Sequence, residues 1–529
     1  MRWSSIAASI ASACTLLAAA NVSANGRFPN AEQLREVSPG SLVVSGTYGL
    51  LVSGNAKDFQ FVCESALFGK TLMGSWVDPL LEVLPDGTIL SGSLNGLRVS
   101  RDHGCSFQSD WSLPYDPAFI SADPSASGPA GSVVDLCPAY DANHDALALT
   151  TLNDADGSTL EHQLYRSADD AHTWSKLGAP IPTSLVRVVL TVDVAPSDPK
   201  RIYVSGSSLG NSVLVTSDDA GATWSAHELT LDDNDGVLGL YIAAVSASDP
   251  QRLYLRVSRR SLADDGSTTW DDSLLVSDDG GASTRQVLRQ AAALLGFAQS
   301  PDGATVLAGY GDPVVAPVVV GDTALGLYAA DSQSLEFSLK VPDLSVSCLR
   351  WADDGLYACA KESDPLGSSP LVTDFHVGVF KGSGVPEQLA DFTPLLKLKD
   401  LRGPLPLASG APSSCQAEWQ TGDPSNPGQA SVCASLNACG GGGGATSLAP
   451  GAFVCGAADQ ANGGEGSSGA AGIAAVAGSV AVGGATPQAT PAGRASGSCR
   501  FEARSRHSAS WSALLFGLIG LLAVRRARR

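Results

Sequence analysis

Residues 213–224 read Val-Leu-Val-Thr-Ser-Asp-Asp-Ala-Gly-Ala-Thr-Trp. The β-branched residues that alternate at the start of this stretch predict a strand. Serine and aspartate side chains accept backbone N–H bonds and glycine takes a positive φ at little cost, so the next five residues predict a turn. Trp224 is large and apolar enough to anchor the strand that follows the turn. The stretch therefore predicts one β-hairpin of a sheet.

The same turn recurs along the chain. The pattern Ser-x-Asp-x-Gly-x-Thr-Trp has four good copies, and a fifth, Ser53 to Phe59 with Asn55, is one residue short. The side chains that we expect to shape the four turns are Ser100, Asp102, Gly104 and Phe107; Ser167, Asp169 and Trp174; Ser217, Asp219, Gly221 and Trp224; and Ser277, Asp279 and Gly281.

A second phrase precedes each turn, in which a Pro/Asp/Gly connector joins two apolar strands. Its clearest copies are Val192–Tyr203 and Val245–Tyr254. Seven connectors lie near positions 39, 85, 138, 196, 248, 301 and 352, so their spacing is 46 to 58 residues. Each unit then holds four short antiparallel strands, A to D, and repetition at this period indicates a radial array of small sheets. We predict an all-β fold, a seven-bladed β-propeller of four-stranded blades at residues 34–402.

The turns resemble the Asp-boxes of BNR-repeat propellers, a superfamily that includes sialidases, xyloglucan hydrolases, sortilin and photosystem assembly factors. The resemblance covers most of the propeller and implies its fold. It also implies that the turn residues are structural and lie away from the ligand. For that reason it implies no particular activity. A sialidase in particular would have six blades and an arginine triad, and no arginine motif of that family stands at the start of this propeller.

The composition and the N-terminal residues indicate which partners and which cellular compartment to expect. The chain has 33 Lys and Arg against 53 Asp and Glu, a net charge of −20. Because binding of nucleic acid requires a basic surface, this balance argues against a nucleic-acid partner. Arg2 precedes an apolar run, Ile6 to Ala20, and small residues follow at positions 22–24. This order predicts a signal peptide at residues 1–24 and an exported protein.

The composition changes after Arg402. Residues 403–498 contain Cys415, Cys433, Cys439 and Cys455, and then become rich in Gly, Ala and Ser. We predict a flexible, low-complexity stalk that contributes nothing to a core and has disulfides near its start, since cysteines of an exported chain pair more often than they bind metal.

Residues 499–529 hold a second targeting feature. The apolar run Trp511–Val524 is 14 residues long and is closed by Arg-Arg-Ala-Arg-Arg. Together with Cys499 it resembles the myxobacterial C-terminal sorting signal, which implies display on the bacterial cell surface or outer membrane through a short transmembrane helix. The alternative is a plain tail anchor. In either case the terminal arginines are expected on the cytoplasmic side of the membrane.

The sequence predicts one cysteine pair and leaves the other pairs undetermined. Cys348 and Cys359 flank the connector of the last blade, so they are placed to form a disulfide across its A–B hairpin. Setting aside Cys14 and Cys499 leaves nine cysteines, an odd number, and the sequence does not show which one stays unpaired.

The long connections between strands B and C point to one face. They are longer in blades three, five, six and seven than in blades one and two. Alternating strand direction places them, with the D–A connections, opposite the C–D turns. We name these two sides the B–C face and the C–D face. Loops on a rigid scaffold often carry function, so we predict ligand contacts on the B–C face, namely Arg259, Arg260, Trp270, Tyr310, Lys361 and His376.

The sequence assigns no residue a catalytic or metal-binding role. Glu82, Asp135 and Asp193 lie on or near A strands and are read as structural carboxylates. The acidic stretches 141–145 and 232–236 lack the spacing of an EF-type calcium loop, so no metal or cofactor is predicted.

These features favour a surface-anchored, monomeric binding module for an extracellular glycan or protein. The alternative is a glycoside hydrolase whose catalytic carboxylates are not recognisable in the sequence. An assembly factor fits the fold but not the anchored location.

Overall fold

The structure is a computed structural model that describes residues 31–455, except 39, 47–48, 69–79, 94–95, 116–128, 139–144, 154–157, 232–235, 263–267, 312–323, 353, 363–376, 385–388, 390, 406–414 and 422–454. The predicted signal peptide, the Gly/Ala/Ser-rich part of the stalk and the C-terminal sorting signal lie outside the described residues. Among the residues described, no helix is long and apolar enough to cross a membrane.

The seven predicted blades are confirmed, and each is an antiparallel sheet whose strands follow chain order. The first three blades are β1 (Ala31–Ser38), β2 (Ser41–Gly46), β3 (Gly49–Ser53) and β4 (Gln60–Cys63); β5 (Leu80–Val83), β6 (Ile89–Ser93), β7 (Gly96–Ser100) and β8 (Gln108–Asp110); and β9 (Gly131–Pro138), β10 (Ala146–Asn153), β11 (Thr159–Ser167) and β12 (Ser175–Ile181). A short helix, α1 (Glu64–Phe68), follows β4.

The remaining blades follow the same plan, with one addition in the fifth. They are β13 (Val188–Ala195), β14 (Asp198–Ser208), β15 (Asn211–Ser217) and β16 (Ser225–Glu228); β17 (Val237–Val245), β18 (Leu253–Leu262), β19 (Thr268–Trp270), β20 (Asp272–Ser277) and β21 (Arg285–Gln290); β22 (Ala293–Gln299), β23 (Thr305–Gly311), β24 (Gly326–Asp331) and β25 (Ser338–Pro342); and β26 (Leu344–Ala352), β27 (Gly355–Glu362), β28 (Val377–Gly382) and β29 (Thr393–Lys397). A 3-10 turn, Leu398–Asp400, ends the last blade.

The blades close into a ring through their first strands. Each A strand contacts the A strand of the next blade, and β26 contacts β1 at the seam between the last and first blades. The described residues form seven buried apolar clusters, and each cluster joins two neighbouring blades. Burial of these side chains between sheets, rather than within one sheet, is what holds the ring together.

The segment after Arg402 takes part in the fold, so the prediction that it adds nothing to a core is wrong for its described residues. Leu405, Cys415, Trp419 and Cys455 are all buried. Trp419 lies on the helix α2 (Gln416–Thr421) and packs against Phe61, with ring centroids 5.4 Å apart. Composition alone missed these residues because a few apolar side chains in a polar segment are enough to dock it on an existing sheet.

The disulfides confirm one predicted pair and differ from the prediction for the stalk. The Cys348–Cys359 bond is confirmed, and it joins β26 to β27. Cys415 and Cys455 do not pair within their own segment; they bond to Cys63 and Cys105 of the first two blades. Cys137 of the third blade is also disulfide-bonded.

Candidate functional site

The C–D turns share one hydrogen-bond pattern. In the fourth blade the Ser217 hydroxyl donates to Asp219 Oδ1 at 2.8 Å and accepts from Gly221 N at 2.8 Å. The Asp219 carboxylate also accepts from Thr223 N at 2.8 Å and from Thr223 Oγ1 at 2.7 Å. These hydrogen bonds from Thr223 and Ser217 lower the pKa of Asp219. The carboxylate is therefore used to hold the turn. The turns at Ser100, Ser167 and Ser277 repeat the pattern.

The aromatic residue that ends such a turn joins two blades. Trp224 Nε1 donates to the carbonyl of Ala179, 2.9 Å away on the last strand of the third blade. Phe107 and Trp174 likewise pack on clusters shared with the preceding blade. The contacts of the C–D face are thus contacts between blades.

The three carboxylates considered near the axis also join blades. Glu82 forms a buried ion pair with Arg35 Nε at 3.1 Å, which links β5 to β1. Asp135 accepts from Val192 N at 2.9 Å. Asp193 accepts in turn from the backbone of the fifth blade, at Val245 N, at 3.2 Å. Each carboxylate satisfies a charge or an N–H group of an adjacent A strand.

The fifth blade has a two-stranded ribbon that extends beyond its sheet on the B–C face. The strand β18 runs past the main sheet and pairs with β19, so that Arg260 lies opposite Trp270. Arg260 is exposed and Trp270 is half-buried. The indole Nε1 of Trp270 is shielded from solvent and has no hydrogen-bond partner in the described part of the chain. A guanidinium beside an aromatic ring can bind a planar or anionic ligand group.

Asp272 fixes this ribbon at its base. Its carboxylate accepts from Arg256 Nε at 2.6 Å, from Leu294 N of the sixth blade at 2.9 Å and from Arg259 N at 3.3 Å. Full burial raises the pKa of Asp272, and the Arg256 guanidinium opposes that rise. One buried carboxylate therefore ties the ribbon to both its own blade and the next.

Two predicted ligand contacts lie in the interior instead. Arg259 is 4% exposed, and its Nη1 donates to Ser273 Oγ at 2.9 Å. Tyr310 is 0% exposed, and burial raises its pKa well above the ordinary value. Its hydroxyl donates to the carbonyl of Asp272 at 3.3 Å. Both residues were placed on the surface because sequence position beside a long connection does not show which way a side chain points.

The other four predicted contacts are Arg260, Trp270, Lys361 and His376. Arg260 and Trp270 come together on the ribbon. The backbone of Lys361 lies on β27, paired with Ser345. His376 lies outside the described residues. The structure therefore brings two of the six predicted residues together at the surface.

Three exposed apolar side chains lie on the same side of the propeller as the ribbon, and the sequence analysis does not single them out. Four large hydrophobic side chains are exposed in the described residues, and three of them, Val188, Leu209 and Leu238, are on the B–C side of blades four and five. Val188 and Leu238 are near the starts of adjacent A strands, and Leu209 is in the B–C turn of the fourth blade. We call these three residues the apolar patch.

Leu209 is held in an unfavourable backbone conformation. Its φ is +54°, followed by Gly210 at +92°, in the two-residue turn between β14 and β15. Asparagine or glycine usually fills the first position of such a turn, because a branched side chain in the left-handed region is strained. Leu209 is also 78% exposed, so burial does not offset the strain. The sequence feature that could have revealed this position is the leucine itself, because a two-residue hairpin turn usually has asparagine or glycine there.

The described residues contain no cluster of three or more His, Cys, Asp or Glu side chains placed to hold a metal ion. The B–C face of blades four and five therefore has exposed aliphatic side chains, an exposed guanidinium and a half-buried indole.

Comparison with solved structures finds matches at low sequence identity and low TM-score. The GH74 xyloglucanase of Xanthomonas campestris is 14% identical, over 59% of this chain and 44% of its own, with a TM-score of 0.34. An extracellular domain from B. thetaiotaomicron is 10% identical, over 63% of this chain and 38% of its own, with a TM-score of 0.39. The GH93 α-L-arabinofuranosidase of Fusarium graminearum is 12% identical, over 57% and 91%, with a TM-score of 0.35.

This chain spans less than half the length of the first two of these proteins. No protein-family model matches it, and no curated protein matches it. Similarities with TM-scores below 0.4 transfer no activity, and the fold stated here rests on the seven sheets of this chain itself. The chain is a seven-bladed β-propeller with glycoside hydrolase propellers among its structural neighbours.

Proposed function

We propose that this protein is an exported, surface-anchored binding module that captures an extracellular glycan or protein through the B–C face of its fourth and fifth blades. The observation that carries this proposal is the apolar patch, in which a strained leucine is kept exposed on the same face as the ribbon. Strain without burial is a cost to the folded state, and such costs concentrate at functional sites. Exposed apolar groups beside polar ones are typical of interaction surfaces.

The positions of the carboxylates support binding more than hydrolysis. A glycoside hydrolase needs two carboxylates about 5 to 10 Å apart that face the substrate. Glu82, Asp135 and Asp193, the candidates by sequence, are instead engaged with neighbouring A strands. The glycoside hydrolase reading remains the alternative outcome of the experiment below.

The test is a screen of the purified propeller against a glycan and polysaccharide array and a displayed peptide library. We expect retention of a ligand that Trp270→Ala or Leu209→Asn reduces at least tenfold. Leu339→Asn is the matched control, because Leu339 is exposed on β25, the last strand of the sixth blade, away from the patch.

Retention that is unchanged in both variants would show that the surface is wrong. Release of shortened glycans from the array would support the hydrolase instead.

A further inference from the structure

The chain returns to the first blade after completing the last one. Phe61 N donates to the carbonyl of Gly403 at 2.7 Å, and Leu405 N donates to the carbonyl of Phe61 at 3.1 Å. Arg402 N also donates to the carbonyl of Phe59 at 3.0 Å. This pairing is parallel and lies on the free edge of β4. Residues 402–405 thus hold the seam between blades seven and one with a few backbone hydrogen bonds.

Two disulfides then attach the following chain to the ring. Cys415 bonds to Cys63 at the end of β4. Cys455 bonds to Cys105, which lies in the C–D turn of the second blade, directly after Gly104. Cys455 is buried in the apolar cluster between blades one and two. Of the attachments in the described residues, the Cys105–Cys455 bond is the last along the chain.

The order of these attachments decides where a pulling force enters the propeller. A force on the chain beyond Cys455 meets a covalent bond to the second blade first. If that bond is removed, Cys63–Cys415 is the next described attachment, and residues 402–405 with the outer strand β29 follow it. Cys137 is also disulfide-bonded, to a cysteine outside the described residues, so it is removed in the experiment below to measure these two bonds alone. Edge hydrogen bonds loaded from one end break one after another, whereas a disulfide does not open this way.

We propose that Cys105–Cys455 and Cys63–Cys415 form a two-point clasp that keeps tension on the C-terminal chain away from the seam between blades seven and one. The clasp rests on the proposed function in one respect: a protein anchored through its C-terminal chain is pulled through that chain when its ligand is pulled.

The test is single-molecule force spectroscopy on the full chain. One handle is fixed to the C-terminus and the other to a peptide tag in the B–C turn at residues 209–210, where a ligand would pull. All variants are made in a Cys137→Ser parent, so that the remaining disulfide of the third blade does not shorten the released segment. Cys455 lies 40 positions after Cys415, which corresponds to about 14 nm of extended chain at about 3.6 Å per residue. We expect no 14-nm event in this parent. Cys105→Ser/Cys455→Ser should add one at low force.

Removal of both bonds, with the further substitutions Cys63→Ser and Cys415→Ser, should make unfolding start at the seam at a lower force. Cys348→Ser/Cys359→Ser is the control, since it removes a disulfide that is off the load path and should add no 14-nm event. Dithiothreitol added to folded wild-type protein repeats the comparison without a substitution.

A 14-nm event in the oxidised Cys137→Ser parent, or equal first-event forces in that parent and in its fourfold variant, would overturn the proposal. Because this measurement needs no ligand, a failure of ligand capture leaves its outcome unchanged.

Discussion

Leu209 shows how one residue can oppose stability. Its φ of +54° is unfavourable for a branched side chain, and its side chain is 78% exposed. Leu209→Asn should raise the free energy of unfolding by about 1 kcal/mol, because asparagine tolerates the left-handed region. Chemical denaturation measures this change. Leu209→Ala is the matched control, since it removes the side chain and keeps the strain; an equal gain in both variants would argue against a backbone origin.

His162 gives the fold a predictable response to pH. It is buried, its Nδ1 lies 3.0 Å from Thr151 Oγ1, and its Nε2 lies 3.2 Å from the carbonyl of Val186. Burial lowers its pKa below the ordinary value of 6.5. The unfolded chain therefore binds a proton at a higher pH than the folded chain does, and stability is lost as pH falls below about 6.5.

His162→Gln should remove this loss, since glutamine cannot take up the proton and can still donate to the Val186 carbonyl. Denaturant titrations between about pH 7.5 and pH 5 measure the slope of stability against pH. His227→Gln, on the edge strand β16, controls for removal of an imidazole elsewhere. If His162→Gln keeps the slope of the wild type, His162 is not its source.

At the scale of elements, the C–D turn depends on its serine. The buried Ser217 hydroxyl accepts from Gly221 N at 2.8 Å, and Gly221 is buried as well. Ser217→Ala leaves this N–H group without a partner and should cost about 1–3 kcal/mol. Thermal or chemical unfolding checks the value. Ser184→Ala, at an exposed position, should change stability by less than about 0.5 kcal/mol; similar effects at both sites would contradict the structural role of the turn.

The ribbon of the fifth blade depends on Asp272. Asp272→Asn leaves the buried Arg256 without its countercharge, and the loss of one partner of a buried pair costs about 3–5 kcal/mol. The neighbouring pair Asp271–Arg289 is partly exposed, so Asp271→Asn should cost less than about 1 kcal/mol. Urea unfolding of both variants makes the comparison. Equal losses would mean that Asp272 does not act as the junction.

At the scale of the whole molecule, the long-range disulfides should matter more than the local one. Cys63–Cys415 has a sequence separation of 352 residues, and Cys348–Cys359 has one of 11. A crosslink that closes a longer loop removes more entropy from the unfolded chain. The loss of Cys63–Cys415 should cost about 2–5 kcal/mol, and more than the loss of the local bond. Calorimetry of the two double-serine variants tests the ranking.

The ring of blades was predictable from the sequence because each repeat carries the same turn-forming residues. Serine, aspartate and glycine at fixed spacing mark the C–D turns, and connectors every 46 to 58 residues mark the blades. The direction of a side chain beside a long connection is not marked in this way, so Arg259 and Tyr310 were misplaced. The docking of Trp419 and Cys455 depends on contacts more than 300 residues apart, which no local pattern contains.

Each apolar cluster is shared by two blades, and this sharing affects how the chain matures. The cluster at the seam contains Leu34 and Phe61 from the beginning of the ring and Leu396, Cys415 and Trp419 from its end. A chain still leaving the ribosome therefore lacks half of its closing contact. The open intermediate would stay loosely structured until synthesis ends, which would suit the export that the sequence of residues 1–24 predicts.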